Sequence, residues 1–214
     1  FIRLKNSLNW LKYAPNFKRT KMKRLGVCFS GRSNSGKTTL ILKIAKELIA
    51  RGFKVAIIKH DPGDKASFGE PQKDSTRFFN VGAQVAVLSP KRTSIFLNQG
   101  FFGGEERINS LLHNAKKEQF STQNNSSEDE LGEIIRHFGE FDYLLVEGLK
   151  YLPLPRICVF RDEIDESFVP FANAFATNLK QIKLSPNYDL DDISGLIKWI
   201  DANAKRLLSL IHIS

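Results

Sequence analysis

The sequence predicts an α/β fold in which a mostly parallel sheet is flanked by helices. Short apolar runs of strand length alternate with amphipathic helical stretches from residue 22 onward, and this is the pattern of parallel strands joined by crossover helices. Hydrophobic residues make up 42% of the 214-residue chain and charged residues 26%, as in ordinary globular proteins. No apolar run approaches the ~20 residues that a transmembrane helix needs, so no membrane partner is expected.

Strands and helices follow one another in the order that such a sheet requires. Strands are predicted at residues 25–30, 54–59, 84–89, 93–98, 141–146 and 157–160, with a further one within 169–177. Helices are predicted at residues 38–51, 74–80, 105–114, 131–138 and 191–204. Residues 90–92 are expected to turn a β-hairpin extension, and the polar stretch 116–129 to be a surface loop or a disordered insertion.

The positive charge of the chain lies at its two ends. The net charge of +9 falls to +1 for residues 22–204 once the six basic residues of 1–21 and the two of 205–214 are set aside. A near-neutral body lacks the basic face of a nucleic-acid-binding domain, so no nucleic-acid partner is expected.

The ends are also expected to lie outside the folded domain. Met22 is the only methionine, and the first predicted strand begins just after it. We therefore expect a domain spanning 22–204, preceded by a basic extension, 1–21, that is cloning-derived or otherwise non-native, and followed by a tail, 205–214. A targeting peptide is the alternative for residues 1–21.

The two cysteines, Cys28 and Cys158, fall in apolar runs and have no metal-ligand spacing. Buried free thiols in a reducing cytoplasm are the expectation.

Residues 31–38 read Gly-Arg-Ser-Asn-Ser-Gly-Lys-Thr and fit the phosphate-binding loop G-x-x-x-x-G-K-[ST] at every fixed position. Such a loop aims backbone N–H groups at phosphate oxygens, its lysine reaches the outer phosphates, and the hydroxyl after the lysine ligates Mg²⁺. A strand precedes the loop and a helix follows it, so a P-loop NTPase fold is predicted. The predicted nucleotide-binding residues of the loop are Gly31, Ser33, Asn34, Ser35, Gly36, Lys37, Thr38 and Thr39.

An acid at the end of a neighbouring buried strand is expected to help hold the metal. Glu147 ends an apolar run and fits that position, although Asp is the commoner residue there. Asp61 ends another run and is a second candidate. The metal site is therefore predicted from Thr38, Glu147 and Asp61, and the alternative for either acid is an exposed carboxylate at a strand end.

Polar residues at two further points are candidates for contacts with the ligand. Lys73 and Arg77 lie at the start of a predicted helix and are expected to contact phosphate or substrate. Asp74 and Ser75, between them, would cap that helix. His60, at a strand end, is either a titrating base or a hydrogen-bonded surface group. The catalytic residues stay unknown.

In order and spacing these motifs resemble the MobB family, the molybdopterin-guanine dinucleotide biosynthesis protein B family of P-loop GTP-binding adaptors. The shared features are the loop 33–40, Ile-Lys-His at 58–60, Lys-Asp-Ser at 73–75, Gly-Ala at 82–83, Val-Glu-Gly at 146–148 with Lys150, and Val-Phe-Arg-Asp at 159–162. The resemblance covers about residues 24–202. Two departures are Gln72, where the family commonly has glycine, and Asp61-Pro62-Gly63, where further histidines are common.

The resemblance implies that the chain binds GTP and Mg²⁺ and at most hydrolyses GTP slowly to GDP and phosphate. It implies a role beside the molybdopterin guanylyltransferase, a MobA-like enzyme that joins GMP to molybdopterin. A homodimer is implied as well, and molybdopterin itself is a further candidate ligand. The chain has no Asn-Lys-x-Asp guanine motif, and residues 176–178, which include Asn178, are expected near the base.

The alternative function is a P-loop kinase that transfers a γ-phosphoryl group to a small molecule. Such kinases commonly cover the phosphates with a mobile lid that carries several arginines. Arg107 is the only arginine in the stretch 99–130, and this scarcity of arginine favours the adaptor.

Overall fold

A computed structural model describes residues 22–64, 70–98, 127–180 and 183–207 of the chain. In these ranges the strands are β1 (Leu25–Ser30), β2 (Val55–His60), β3 (Gln84–Ser89), β4 (Arg92–Phe96), β5 (Tyr143–Glu147), β6 (Arg156–Phe160), β7 (Ala174–Thr177), β8 (Asn187–Asp189) and β9 (Lys205–Arg206). The helices are α1 (Lys37–Ala50), α2 (Asp74–Asn80), α3 (Ser127–His137) and α4 (Ile193–Asn203), and a 3₁₀ helix spans Glu166–Phe171.

The described strands form one sheet in the order β4-β3-β2-β5-β1-β6-β7-β8, with β9 beside β1. The pairs are parallel except for the β3–β4 hairpin and the β1–β9 pair, which are antiparallel. The loops that follow the parallel strands therefore open on one edge of the sheet, where open α/β sheets bind their ligands. This mostly parallel sheet flanked by helices confirms the predicted P-loop NTPase fold, and the predicted hairpin is present.

Side chains alternate along the strands between two cores. Val27 and Phe29 of β1 lie in one core together with side chains of α1, α2 and α4. Cys28, between them, lies in the second core, with side chains of α3 such as Ile134. Cys158 belongs to a third, smaller cluster that includes side chains of the 3₁₀ helix. Both cysteines are buried free thiols, as predicted.

Some elements begin or end elsewhere than the sequence predicts. α3 begins at Ser127, so the predicted loop 116–129 extends too far, and the acidic residues at its end suit the first turn of a helix. The strand predicted within 169–177 begins only at Ala174, because residues 166–171 form the 3₁₀ helix. β8 and β9 were not predicted, since two or three residues are too few to show a hydrophobic period.

Residues 205–207 belong with the sheet and correct the predicted end of the domain at residue 204. β9 pairs with the first half of β1, whereas β6 pairs with its second half. The amide of Leu207 donates to the carbonyl oxygen of Arg24 at 2.8 Å, and its side chain packs against the second core.

Other predictions fall on residues that the structure does not describe. They are the helix at 105–114, most of the loop at 116–129, and the character of residues 1–21 and 208–214. Among the helices of the described ranges, none is both long enough and apolar enough to cross a membrane.

Candidate functional site

The predicted phosphate-binding loop joins β1 to α1 and requires both of its glycines. Gly31 has φ of 144° and Gly36 of 93°, which side chains rarely adopt. A Cβ atom on Gly31 would lie 2.4 Å from the carbonyl oxygen of Val159, and one on Gly36 would lie 2.9 Å from Nη2 of Arg161. Asn34, at φ of 64°, is one of the few other residue types that tolerate such an angle. The loop is therefore packed closely against β6 and the residue that follows it.

Two polar groups of the loop fit a site built for an anion. Ser35 is buried, and its hydroxyl has no hydrogen-bond partner among the described residues. The ammonium of Lys37 donates to the carbonyl oxygen of Arg32 in the same loop. Burial lowers the pKa of Lys37, a shift that the nearby Glu147 opposes. An unsatisfied buried hydroxyl costs about 1–3 kcal/mol, and phosphate oxygens are the groups that such a loop would offer it.

Beside the loop, Thr38, Glu147 and Asp74 bring one hydroxyl and two carboxylates together. Thr38 Oγ1 lies 3.0 and 3.1 Å from the carboxylate oxygens of Glu147 and 3.3 Å from Oδ2 of Asp74. Lys59 Nζ donates to Asp74 Oδ2 at 2.8 Å and to Glu147 Oε2 at 3.3 Å. Although burial acts against it, these two acids raise the pKa of Lys59. The lysine is thus a cation that offsets part of their charge.

The fold explains why these four residues meet. Lys59 and Glu147 are register partners on β2 and β5. Thr38 is the second residue of α1, and Asp74 is the first residue of α2. Hydroxyl and carboxylate oxygens are the ligands that Mg²⁺ prefers, so this set of donors fits a metal ion next to the phosphates.

Asp74 lies against Thr38 together with Glu147, although the sequence assigns to Asp74 only a helix cap. The N-cap position of α2 is occupied by Lys73, whose contact with phosphate stays a prediction. The amide of Asp61 donates at 2.7 Å to the carbonyl oxygen of the penultimate residue of β3. Its place in a metal site also stays a prediction.

Two arginines near the loop are paired with acids of the chain itself. Arg77 Nη1 lies 3.6 Å from Asp74 Oδ1, so its guanidinium lies beside the two acids next to Thr38, Glu147 and Asp74, which we call the metal-type acids. Its predicted contact with phosphate is untested. Arg32 donates to Glu163 and, at 2.7 Å, to Asp165 Oδ2. The hydrogen bond from the Ser167 hydroxyl, followed by this one from Arg32, lowers the pKa of the Asp165 carboxyl.

Two contacts join the loops that follow neighbouring strands. A Cβ atom on Gly148, which has φ of 89°, would lie 3.0 Å from Cβ of His60, so the end of β5 turns closely past the end of β2. The Oδ1 atom of Asn178 accepts from the amide of Asp162 at 3.4 Å, so the loop after β7 touches the loop after β6. A role of His60 as a base remains a prediction.

Of three side chains near the loop, those of Lys59 and Arg161 have no individual role in the sequence analysis, and that of Asp74 has only the role of a helix cap. Each belongs to one of the short runs shared with the MobB family, at 58–60, 73–75 and 159–162. The residue types shared in these runs are the signal in the sequence that indicates these three side chains.

Comparison with known proteins agrees with these features. The family model "MobB: Molybdopterin guanine dinucleotide synthesis protein B" matches residues 26–117. A molybdopterin-guanine dinucleotide biosynthesis adapter protein of Escherichia coli (strain K12) is 27% identical over 184 residues, which are 81% of this chain and 90% of that protein. The chain is a MobB-like protein.

Three further proteins are similar to this MobB-like chain. An adapter protein of the same name from Haemophilus influenzae is 27% identical over 180 residues, covering 80% of this chain and 85% of that protein. A crystal structure titled molybdopterin-guanine biosynthesis protein B (mobB) aligns at a TM-score of 0.45 with 22% identity, covering 83% of this chain and 97% of that one. A polyribonucleotide 5′-hydroxyl-kinase of Pyrococcus furiosus is 26% identical over 172 residues, covering 73% of this chain but 43% of that protein.

Proposed function

We propose that this MobB-like chain binds GTP with Mg²⁺ and acts as an adapter in the synthesis of molybdopterin-guanine dinucleotide. The observation that carries the proposal is the phosphate-binding loop with Thr38 against Glu147. It occurs in a chain similar to two proteins named as adapters of this synthesis.

The loop supplies the groups that would hold the phosphates. Its backbone N–H groups, the ammonium of Lys37 and the positive end of α1 all favour anionic oxygens. Thr38 would ligate Mg²⁺, with Glu147 and Asp74 as the acids beside it. When bound, the metal ion neutralises charge on the outer phosphates.

The preference for guanine rests on the relatives, whose names specify a guanine dinucleotide. Asn178, at the end of β7, is the residue proposed to lie near the base. A comparison of Mg-GTP, Mg-ATP and molybdopterin in thermal unfolding tests this directly. We expect GTP to raise the melting temperature more than ATP, and an equal or larger shift with ATP would contradict the assignment of the base.

Turnover by the isolated chain is proposed to be slow. Fast hydrolysis in P-loop proteins depends on an arginine that reaches the transferred phosphoryl group. Arg32, within the phosphate-binding loop, and Arg77, on α2, are paired with Glu163, Asp165 and Asp74 of the chain itself. An adapter that presents bound GTP to a partner enzyme, or changes the conformation of that enzyme, needs no such arginine of its own.

The partner proposed is a molybdopterin guanylyltransferase in the cytoplasm, with the adapter as a homodimer and molybdopterin as a further ligand. The decisive experiment adds the purified chain to that enzyme with molybdopterin and Mg-GTP and measures the dinucleotide formed. We expect the intact chain to increase the yield and Lys37→Ala to abolish the increase. Lys46→Ala, an exposed lysine on the same helix α1, serves as the matched control. No increase with the intact chain would overturn the proposal.

The kinase alternative is supported by the similarity to the Pyrococcus furiosus enzyme, which this chain matches over 43% of that enzyme's length. Rapid transfer of phosphate from nucleotide to a polynucleotide or small-molecule hydroxyl, without a partner, would establish it.

A further inference from the structure

Arg161, the first residue after β6, lies directly against the phosphate-binding loop. Its Nη2, Cζ and Nε atoms lie 2.9, 3.4 and 3.6 Å from the position that a Cβ atom on Gly36 would take. Gly36 immediately precedes Lys37 and is the N-cap residue of α1. The flat guanidinium thus lies against the turn whose backbone N–H groups would face bound phosphates.

The charge of Arg161 is not balanced by an acid in the described part of the chain. Its guanidinium is exposed and makes no hydrogen bond or ion pair with any residue of 22–64, 70–98, 127–180 or 183–207. The two nearby acids that could have served, Glu163 and Asp165, are engaged by Arg32. An exposed guanidinium without an acid, beside an anion-binding loop, is suited to bidentate contact with phosphate oxygens.

The order of the strands indicates which end of the nucleotide this guanidinium meets. Glu147 on β5 and Lys59 on β2 lie on one side of β1, together with Thr38 and Asp74. Arg161 follows β6, on the opposite side of β1. A metal ion in a P-loop site bridges the outer phosphates, so the nucleoside end must point away from the metal-type acids, toward β6 and β7.

We infer that Arg161 binds the nucleotide at its inner, α-phosphate and ribose end and is therefore a nucleotide-binding residue. The inference rests on the proposed function, since it takes the loop to bind a nucleoside triphosphate. It differs from a role at the γ-phosphate, which would require the guanidinium on the side of Glu147.

Neighbouring contacts fix the loop that carries Arg161. Asp162 adopts the left-handed conformation at φ of 66°, and its amide donates to Asn178 Oδ1 at 3.4 Å. Asp165 receives Arg32 from the phosphate-binding loop at 2.7 Å. Residues 161–165 are thus tied on one side to the loop after β1 and on the other to the loop after β7. Arg161 therefore lies between the phosphate-binding loop and the loop that carries Asn178, the residue proposed to lie near the base.

The test compares the affinities of GTP and GDP for the full chain and for Arg161→Gln by calorimetry with Mg²⁺ present. Loss of one charge-assisted contact should weaken both nucleotides by the same factor, about 10- to 100-fold. Arg161→Lys should recover part of the loss, because it restores the charge without the flat guanidinium. A loss confined to GTP would place the side chain at the γ-phosphate and overturn the inference, as would unchanged affinity for both.

Controls separate this inference from the proposed function. Arg206→Gln, at an exposed position on β9 beside the first half of β1, should leave both affinities unchanged. Circular dichroism and the melting temperature of Arg161→Gln should match those of the unaltered chain, because the side chain is exposed. If the unaltered chain binds neither GTP nor GDP, the proposed function and the inference fail together. If it binds both and Arg161→Gln binds them equally well, the inference alone fails.

Discussion

At the scale of single residues, Lys59 shows how the chain tolerates two carboxylates beside one hydroxyl. Glu147 and Asp74 both lie within hydrogen-bond reach of Thr38, and two anions so close would repel each other. The ammonium of Lys59 contacts both acids and relieves that repulsion. The cluster therefore keeps two carboxylates next to the Thr38 hydroxyl, a set of oxygen donors that suits a divalent cation.

Lys37→Ala tests the phosphate-binding loop. The substitution removes a charge-assisted contact worth roughly 1.5–3 kcal/mol, so GTP affinity measured by calorimetry should fall about 10- to 150-fold. Lys46→Ala, an exposed substitution on the same helix, should bind GTP as the unaltered chain does. Unchanged binding by Lys37→Ala would remove the assignment of the loop.

Asp74→Asn and Asp61→Asn decide which acid organises the metal ion. Because Asp74 lies 3.3 Å from the Thr38 hydroxyl, its substitution should raise the Mg²⁺ concentration needed for tight GTP binding by about 10-fold or more, as for other residues that support a metal site. Asp61→Asn should leave the Mg²⁺ requirement unchanged. The measurement is a titration of GTP affinity against Mg²⁺, and the opposite pattern would assign the metal site to Asp61 and not to Asp74.

At the scale of elements, the sequence predicts what depends on neighbouring residues and misses most contacts between distant residues, except where a motif requires them. The loop 31–38 and helix α1 are contiguous, so spelling and hydrophobic period suffice to predict them. The contact of Thr38 with Asp74 joins residues 36 positions apart, and its contact with Glu147 joins residues 109 apart. The sequence nevertheless predicts Glu147 beside Thr38, because the phosphate-binding motif requires an acid at the end of a neighbouring strand. The contact with Asp74 and the pairing of β9 with β1 are missed, because no local pattern reveals them.

Truncation at two points tests whether β9 belongs to the domain. A chain ending at residue 204 loses β9 and the side chain of Leu207, which packs against the second core. Burial of that size is worth about 1–2 kcal/mol, so the melting temperature should be about 2–8 °C lower than for a chain ending at residue 207. GTP affinity should be equal for both, because β9 pairs with the half of β1 farther from the loop.

The N-terminal extension is tested in the same series. A chain spanning 22–207 should melt and bind GTP like the full 214-residue chain if residues 1–21 do not belong to the working protein. A clear loss of stability or affinity would show that they do.

At the scale of the whole molecule, the strand order divides the ligand-binding edge of the sheet into two halves around β1. Glu147, Asp74 and Lys59 lie on the β5 and β2 side. Arg161 and Asn178 lie on the β6 and β7 side. In the described ranges, the arginine that lies beside the metal-type acids is Arg77, and it is paired with Asp74.

We expect slow turnover from this arrangement. The isolated chain should release phosphate from GTP on the order of 10⁻⁴ to 10⁻³ s⁻¹, as a small GTPase does without its arginine finger. Single-turnover phosphate release with Mg²⁺ measures the rate, and Lys37→Ala gives the background. A rate higher by several orders of magnitude would mean that an arginine of this chain already serves the γ-phosphate.

Burial of the two cysteines makes them reporters of local opening. Burial raises the pKa of Cys28 to about 12 and that of Cys158 to about 11, against the opposing effect of Arg156. Because only an accessible thiolate is alkylated, neither thiol should react while its cover is closed. Cys28 lies under α3, and Cys158 lies under the 3₁₀ helix, where its thiol donates to the carbonyl oxygen of Phe168. The rate of alkylation of each cysteine, measured peptide by peptide with a mass spectrometer in one unlabelled sample, therefore reports how often α3 and the 3₁₀ helix move away from the sheet.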